Sequence, residues 1–229
     1  MDVIRESSGV GYTAALARGL ASLLRGGDVV LLSGELGAGK TTLIRGLSEA
    51  LGVARGVVSS PTFVMLNVYP VEGAGTGSGM TSIVSVAHLD AYRLRGPEDL
   101  DALGWDRVYD EASGEAREGH VVLVEWPERV GWLVAGSEER TARVRIEQTG
   151  ADVRRFVIGV PSSWRARAEW ELFAERAPIR CRITGEWVSP TAASYPFANE
   201  RARGADLHRW FSGSYGVSRP ATPEELEDR

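Results

Sequence analysis

The chain has 229 residues, of which 43% are hydrophobic and 25% charged, and its formal net charge at pH 7 is −5. This composition is typical of one globular domain with a core of ordinary size, and leaves room for an appendage. The acidic balance argues against a surface that neutralises a nucleic-acid backbone over a wide footprint. The single cysteine, Cys181, excludes an internal disulfide, and the sequence has no CxxC or Cys/His cluster typical of zinc sites.

The N-terminal sequence MDVIRESSGV lacks a basic stretch followed by an apolar one. No apolar run approaches the roughly 20 residues that a membrane-spanning helix needs. We therefore expect a cytoplasmic protein.

Apolar spacing predicts alternating helices and strands in the first hundred residues. Leu16, Leu20, Leu23 and Leu24 recur at helical spacing, whereas residues 28–33 form a short apolar run typical of a strand that is covered on both faces. The predicted elements are a helix over 11–24, a strand over 28–33, a helix over 40–51, strands over 57–69 and 82–90, a Gly/Ser-rich tract over 72–79, and a short helix over 97–104.

The next sixty residues predict the remainder of a sheet. Residues 120–126 form a third apolar strand after a polar loop over 109–119, and two β-branched runs flank Thr149-Gly150-Ala151 as an antiparallel hairpin at the sheet edge. Together these elements indicate an α/β class with a mainly parallel central sheet in a three-layer arrangement.

The character of the sequence changes after Pro161, so we divide the chain into residues 1–160 and a C-terminal extension, residues 161–229. Residues 162–176 are compatible with a helix, whereas 185–229 predict a loosely packed or disordered segment. Its ten acidic residues balance ten arginines, which argues against an electrostatic RNA-binding arm. Its aromatic residues could cover the core, contact a partner or be incidental.

A glycine-rich motif carries the strongest chemical signal. Residues 34–41, GELGAGKT, fit G-x-x-x-x-G-K-[ST] between a predicted strand and a predicted helix, and Lys40 is the chain's only lysine. Backbone N–H groups of such a loop surround phosphates, a lysine reaches the β- and γ-phosphates, and the following hydroxyl is placed to bind Mg²⁺. The predicted nucleotide-binding residues here are Glu35, Leu36, Gly37, Ala38, Gly39, Lys40, Thr41 and Thr42.

Two predicted strands end in carboxylates, Asp90 and Glu125. Both would lie at the carboxyl edge of the sheet, where open α/β folds bind ligands. A solvated strand-end acid or a helix cap is the alternative for Asp90. Glu125 follows four apolar residues, so a carboxylate there without a function would carry a desolvation cost.

Four motifs in this order, GELGAGKTTLIRGL, SPTFVMLNVY, HLDAYRL and VVLVEWPERV, resemble the TsaE (formerly YjeE) family over residues 1–160. The resemblance implies a P-loop NTPase fold that binds ATP with Mg²⁺. It also implies a hydrolysing partner of the TsaB–TsaD proteins, which modify the adenosine beside the anticodon of tRNA with threonylcarbamoyl. TsaE itself does not perform the transfer in this family.

The resemblance also implies roles for individual residues. Thr41 and Glu125 would bind Mg²⁺, and Lys40 and Asp90 would support hydrolysis. Thr62 would sense the γ-phosphate, and Trp126 would lie beside the nucleotide. A packing role for Trp126 and a strand-start hydroxyl at Thr62 stay open as alternatives.

Other functional classes are also compatible with the glycine motif. A small-molecule kinase would need an acceptor pocket and a lid with arginines, for which Arg93 and Arg95 are the nearest candidates. A nucleotide-dependent scaffold would need no useful hydrolysis. A regulatory GTPase would need an N-K-x-D motif, which a chain with one lysine at position 40 lacks, so ATP is favoured over GTP.

Overall fold

The computed structural model describes residues 2–60, 65–72, 83–130 and 138–212. Its helices are α1 Val10–Leu23, α2 Lys40–Ala50, α3 Pro97–Leu103, α4 Trp170–Glu175 and α5 Glu200–Phe211. Its strands are β1 Asp2–Ser8, β2 Val29–Ser33, β3 Leu66–Pro70, β4 Ser85–Asp90, β5 Tyr109–Asp110, β6 Glu115–Ala116, β7 His120–Glu125, β8 Thr141–Gln148, β9 Val153–Gly159, β10 Ile179–Arg180 and β11 Trp187–Val188.

Seven strands form one mixed sheet in the order β1-β9-β8-β2-β7-β4-β3. The four central strands β8, β2, β7 and β4 run parallel to one another, and the outer pairs are antiparallel. The predicted α/β class with a mainly parallel central sheet is therefore confirmed. The parallel strands place the carboxyl ends of β2, β4 and β7 at the same edge of the sheet.

Apolar side chains cover both faces of the central strands, as expected for continuous hydrophobic runs. On β2, Val30 and Leu32 face the cluster that contains Leu16 of α1 and Leu43 of α2. The alternate residue Leu31 faces a second cluster that contains Leu100 and Trp105. The result is three layers, with α1 and α2 on one face and α3 with its flanking turns on the other.

The edge of the sheet differs from the sequence prediction. The hairpin β8–β9 is not at the edge, because β1 pairs with β9 in antiparallel register from Asp2 to Ser8. Strand β1 buries Val3 and Ser7 on one face, with Arg5 half-buried between them, and its apolar residue Ile4 is exposed. A strand with so few apolar positions gives a weak periodic signal, and the sequence analysis missed it.

Two other segments also differ in detail. The strand predicted over 57–69 begins only at Leu66 in the described residues, and most of the Gly/Ser-rich tract 72–79 lies outside them. The predicted polar loop 109–119 contains the short antiparallel pair β5–β6. Tyr109 is fully buried there and stacks on Trp105 at 4.9 Å between ring centroids. Burial raises the pKa of Tyr109 to about 12.

The first part of the extension packs into the core beside α1. Trp164 and Phe173 are fully buried in the same cluster as Leu16. Arg167 also pairs with Asp28, a fully buried carboxylate before β2, at 2.5 Å. Arg140 also pairs with Asp28, at 3.3 Å, so the two arginines together compensate this buried charge, and Arg167 joins the extension to the start of β2.

The second part of the extension is more regular than the sequence predicted. Asn199 caps α5 by accepting a hydrogen bond from the Ala202 backbone N–H, and Asp206 pairs with Arg182. The expectation of an irregular segment after residue 185 is thus wrong for residues 200–211. The sequence analysis missed this helix because it has no stripe of apolar residues at helical spacing. Only its Ala202 and Asp206 side chains are buried, and Trp210 and Phe211 are exposed.

Among the described residues, no helix combines the length and the apolar character needed to cross a membrane.

The contact between α1 and the extension can be tested at Gly19. A Cβ atom there would lie 2.7 Å from the ring of Pro190 and 3.2 Å from Phe173. Gly19→Ala should therefore lower the free energy of unfolding by about 1–3 kcal/mol through overpacking. The matched control is Gly204→Ala in α5, where a Cβ meets nothing within 4 Å. Glycine loses more conformational entropy than alanine when a helix forms, so Gly204→Ala should raise the free energy of unfolding by about 0.5–1 kcal/mol.

Urea denaturation of the two variants measures both changes. Equal stabilisation by the two substitutions would contradict this packing.

Candidate functional site

A tight loop of residues 34–39, the glycine loop, joins β2 to α2. Gly39 precedes α2 with φ of 107°, a conformation that favours glycine. Gly34 has φ of 146°, and a Cβ atom there would lie 2.4 Å from the carbonyl oxygen of Ile146 in β8. The loop is therefore shaped by glycines at both ends and lies directly against the neighbouring strand.

Lys40 begins α2 with its side chain directed back toward the loop. Its Nζ donates hydrogen bonds to the carbonyl oxygens of Gly34 at 2.8 Å and Glu35 at 2.9 Å. The residue is only 4% exposed. Burial lowers the pKa of Lys40, and the negative charges of Glu125, Glu128 and Asp90 oppose that shift. The loop thus holds a desolvated cation beside carboxylates.

The two strand-end carboxylates lie side by side. Asp90 and Glu125 are paired in register at the ends of parallel β4 and β7, and both are buried. Side chains alternate along a strand, so both point to the face of the sheet that carries α1 and α2. Asp90 also accepts a hydrogen bond from the backbone N–H of Tyr92 at 3.1 Å, which fixes its side chain.

Glu125 connects three elements through one oxygen atom. The Thr41 hydroxyl at the start of α2 donates to Glu125 Oε1 at 2.8 Å. His88 of β4 contacts the same Oε1 through Nε2 at 2.9 Å. Helix α2, strand β7 and strand β4 therefore meet at the Glu125 carboxylate.

An aromatic and cationic stack forms the outer wall of the site. The Lys40 ammonium lies 3.7 Å from the ring centroid of Trp126, and the ring centroids of Trp126 and Tyr92 are 5.1 Å apart. The guanidinium carbon of Arg129 lies 5.7 Å from the Tyr92 ring centroid. Trp126 has φ of 60°, which is rare for a bulky residue and is common at functional sites.

These groups line a cleft of about 270 Å³, the carboxylate cleft. Its lining residues are Leu36, Gly37, Gly39, Lys40, Thr41, Thr42, Ser60, Asp90, Tyr92, Glu125 and Trp126. A second cleft of about 150 Å³ lies beside the same loop and shares Gly37, Gly39 and Thr42 with the first. One elongated ligand could therefore contact both clefts along the loop.

Most of the residues singled out in the sequence meet at the carboxylate cleft. Glu35 contributes its backbone carbonyl to Lys40, and Ala38 is buried and accepts a hydrogen bond from Arg154 Nε at 3.1 Å. Thr62 lies outside the described residues.

Sequence reasoning missed two residues of this region, His88 and Arg154. His88 could have been found, because it stands two positions before Asp90 and so faces the same way in an otherwise apolar strand. Nothing in the sequence pairs Arg154 with the glycine loop, because that contact joins residues 116 positions apart.

The donor atoms at the site suit a small hard cation. Hydroxyl and carboxylate oxygens are the ligand types that Mg²⁺ prefers. Adjacent ligands of octahedral Mg²⁺ are about 3 Å apart, given metal–oxygen distances of about 2.1 Å. Thr41 Oγ1 and Glu125 Oε1 lie 2.8 Å apart in a hydrogen bond, so both oxygens are close enough to reach one ion.

Comparison with known proteins gives the family. The family model described as "Threonylcarbamoyl adenosine biosynthesis protein TsaE" matches residues 8–156, well over half of the chain. The chain belongs to the TsaE family. TsaE proteins take part in tRNA threonylcarbamoyladenosine biosynthesis. The match includes the glycine loop, Asp90 and Glu125, and it ends before the extension.

Relatives that carry the TsaE name are similar over more than half of this chain. The tRNA threonylcarbamoyladenosine biosynthesis protein TsaE of Streptomyces coelicolor is 44% identical over 154 residues, 65% of this chain and 91% of that protein. The TsaE protein of Rickettsia felis is 35% identical over 122 residues, 53% of this chain and 61% of that protein. A solved structure titled "Crystal structure of Bacillus subtilus YdiB" is 26% identical with a TM-score of 0.49, and covers 76% of this chain and 93% of that chain.

Because the glycine loop lies against β8 at Gly34 but not at Gly37, alanine substitutions at these two positions should differ in their effect on stability. Gly34→Ala should lower the free energy of unfolding by about 2–4 kcal/mol, because its Cβ would overlap the Ile146 carbonyl oxygen. Gly37 also has a positive φ, but its Cβ would meet nothing within 4 Å. Gly37→Ala should therefore cost only about 1–2 kcal/mol of backbone strain.

Urea denaturation of the two variants checks this order. A larger loss for Gly37→Ala than for Gly34→Ala would mean that the loop does not lie against β8 as described.

Proposed function

We propose that this TsaE protein binds ATP with Mg²⁺ and hydrolyses it slowly, in support of the TsaB–TsaD complex that transfers threonylcarbamoyl to tRNA. One observation carries the proposal. A buried ammonium, Lys40, and the carboxylates of Asp90 and Glu125 meet beside a glycine loop at the carboxyl edge of a parallel sheet. This edge is where open α/β folds bind ligands.

The loop and Lys40 supply the phosphate-binding chemistry. Helix α2 begins at Lys40, so its unpaired N–H groups and the positive end of its dipole face the loop. Lysine offers a compact charge with three donors, and Lys40 uses two of them on loop carbonyls. Phosphate oxygens are better acceptors than these carbonyls because they are charged, so the ammonium would turn to them.

Thr41 and Glu125 would hold the Mg²⁺ ion, as their oxygen types and spacing fit its coordination. When bound, the ion supplies positive charge that neutralises phosphate oxygens and stabilises charge in the transition state. The Thr41 hydroxyl and the Glu125 carboxylate already lie in contact, at 2.8 Å. Such preorganisation reduces the rearrangement that binding requires.

Asp90 is suited to orient the attacking water. Its carboxylate lies in the cleft next to Glu125 and is held by the Tyr92 N–H, so at least one acceptor position has a fixed direction. Positioning and charge stabilisation supply most of the catalysis of phosphoryl transfer. We expect slow turnover by the chain alone, until a partner completes the cleft.

The second cleft supports a nucleotide rather than free phosphate as the ligand. It lies along the same loop and includes backbone and side chains of the β1–α1 turn, among them Gly9 and Val10. A nucleoside triphosphate would place its phosphates in the carboxylate cleft and its nucleoside in the second cleft, which shares Gly37, Gly39 and Thr42 with it. The TsaB and TsaD proteins, with tRNA held through them, are the proposed partners because the family acts in this pathway.

Lys40→Ala tests nucleotide binding. We expect at least a tenfold loss of affinity for a fluorescent ATP analogue with Mg²⁺, since a charged hydrogen bond to phosphate contributes about 1.5–3 kcal/mol. The variant should also lose stimulation of ATP turnover by TsaB, TsaD and tRNA. Arg55→Ala is the control, because the Arg55 side chain is highly exposed and pairs only weakly with Glu49, at 3.8 Å. Unchanged affinity in Lys40→Ala would overturn the proposal.

Asp90→Asn separates hydrolysis from binding. Asparagine keeps an acceptor for the Tyr92 N–H but loses the negative charge, so affinity for ATP should change only a few-fold. ATP turnover should fall by about 100-fold or more if the carboxylate orients or activates water. A variant that loses turnover but still supports tRNA modification in cells would instead favour a nucleotide-dependent scaffold.

A further inference from the structure

His88 is a buried polar residue for which the proposed hydrolysis has no direct use. It lies in β4 between Ala87 and Leu89, and its side chain is fully buried. Val86 and Asp90 share its face of the strand. An imidazole in such surroundings loses hydration, which is unfavourable unless hydrogen bonds replace it.

The contacts of His88 are one-sided. Its Nε2 lies 2.9 Å from Glu125 Oε1, whereas its Nδ1 has no hydrogen-bond partner in the described part of the chain. An ionised carboxylate only accepts hydrogen bonds, so Nε2 is the atom that carries the proton. The contact of Nε2 with Glu125 Oε1 is the one polar contact of the imidazole in the described part of the chain, so any role of His88 beyond packing acts through Glu125.

The geometry at Glu125 Oε1 shows why a second donor matters. In the present arrangement Thr41 and His88 both donate to this oxygen. If Thr41 Oγ1 and Glu125 Oε1 bound the same cation, the hydroxyl proton would point away from the cation, and the hydrogen bond from Thr41 to Oε1 would be weakened. His88 is then the donor that continues to hold the carboxylate.

We propose that His88 is a positioning residue that keeps Glu125 aimed at the cation site beside Thr41. This inference rests on the proposed binding of Mg²⁺ with a nucleotide. Without the imidazole donor, Glu125 would be free to turn toward the Lys40 ammonium, whose charge it already influences. Removal of a residue that hydrogen-bonds to a metal ligand typically lowers metal affinity by about 10–100-fold.

Three substitutions separate positioning from core packing. In His88→Gln the side-chain amide N–H reaches the place of Nε2, so the donor is retained. In His88→Asn the same amide is too short to reach Glu125. In His88→Met the length is retained but the donor is absent. All three remove the imidazole from the core, so a purely structural role would affect them without regard to the donor.

The experiment measures fluorescence anisotropy of a labelled ADP bound to the full chain while Mg²⁺ is added, with EDTA as the metal-free reference. We expect His88→Asn and His88→Met to need about 10–100-fold more Mg²⁺ for half-maximal enhancement of binding. His88→Gln should stay within a few-fold of the wild type. Affinity for ADP in EDTA should be the same in all four proteins, and thermal unfolding without ligand reports the loss of stability in each.

The outcomes distinguish this inference from the function on which it rests. If the wild type binds no ADP with Mg²⁺, the proposed function fails and this inference fails with it. If the wild type responds to Mg²⁺ and all three variants respond alike, only the role of His88 is overturned. The role of His88 is also overturned if the loss of Mg²⁺ response among the three variants follows their loss of thermal stability and not the absence of the donor. If one variant does not fold, the other donor-free variant still provides the comparison with His88→Gln.

Discussion

The hydrogen bond between Thr41 and Glu125 is the contact on which the arrangement of the site depends. It joins the first turn of α2 to the carboxyl end of β7, residues 84 positions apart, at 2.8 Å. Helix α2 can reach this position only because the glycine loop turns sharply and passes against the backbone of β8 at Gly34. Once the helix start is fixed there, the Lys40 ammonium donates to the loop carbonyls. The carboxylates of Asp90 and Glu125 are then close enough to oppose the lowering of its pKa by burial.

The core on the α1 side explains why residues 162–176 of the extension belong to the folded domain. Trp164 and Phe173 fill space next to α1, and Arg167 pairs with the buried carboxylate of Asp28. Arg5 of β1 donates hydrogen bonds to the carbonyl groups of Phe173, Ala174 and Arg176, which end α4. Strand β1 and the extension thus support each other. The β1–α1 turn that borders the second cleft lies on this shared scaffold, which connects the extension to the walls of the candidate site.

Sequence reasoning worked well where one local signal sufficed. The apolar run of β2 indicated a buried parallel strand, the sequences of β4 and β7 indicated two further strands, and the glycine motif with the sole lysine indicated the loop and the start of α2. Asp90 and Glu125 were expected at one edge of the sheet, and the register of β4 and β7 places them side by side. It failed for β1 and α5, which bury few apolar residues and are held by neighbours distant in the sequence.

The sequence by itself determined the α/β class, the family and the chemical groups available at the site. It could do so because strand periodicity, glycine conformations and the spacing of the motif are local properties of the chain. Only the tertiary structure decided that His88 and Thr41 share one oxygen of Glu125, that Arg154 supports the glycine loop, and that Trp126 lies over Lys40. These contacts depend on sheet order and on the register of strands, which long-range packing fixes and local sequence does not.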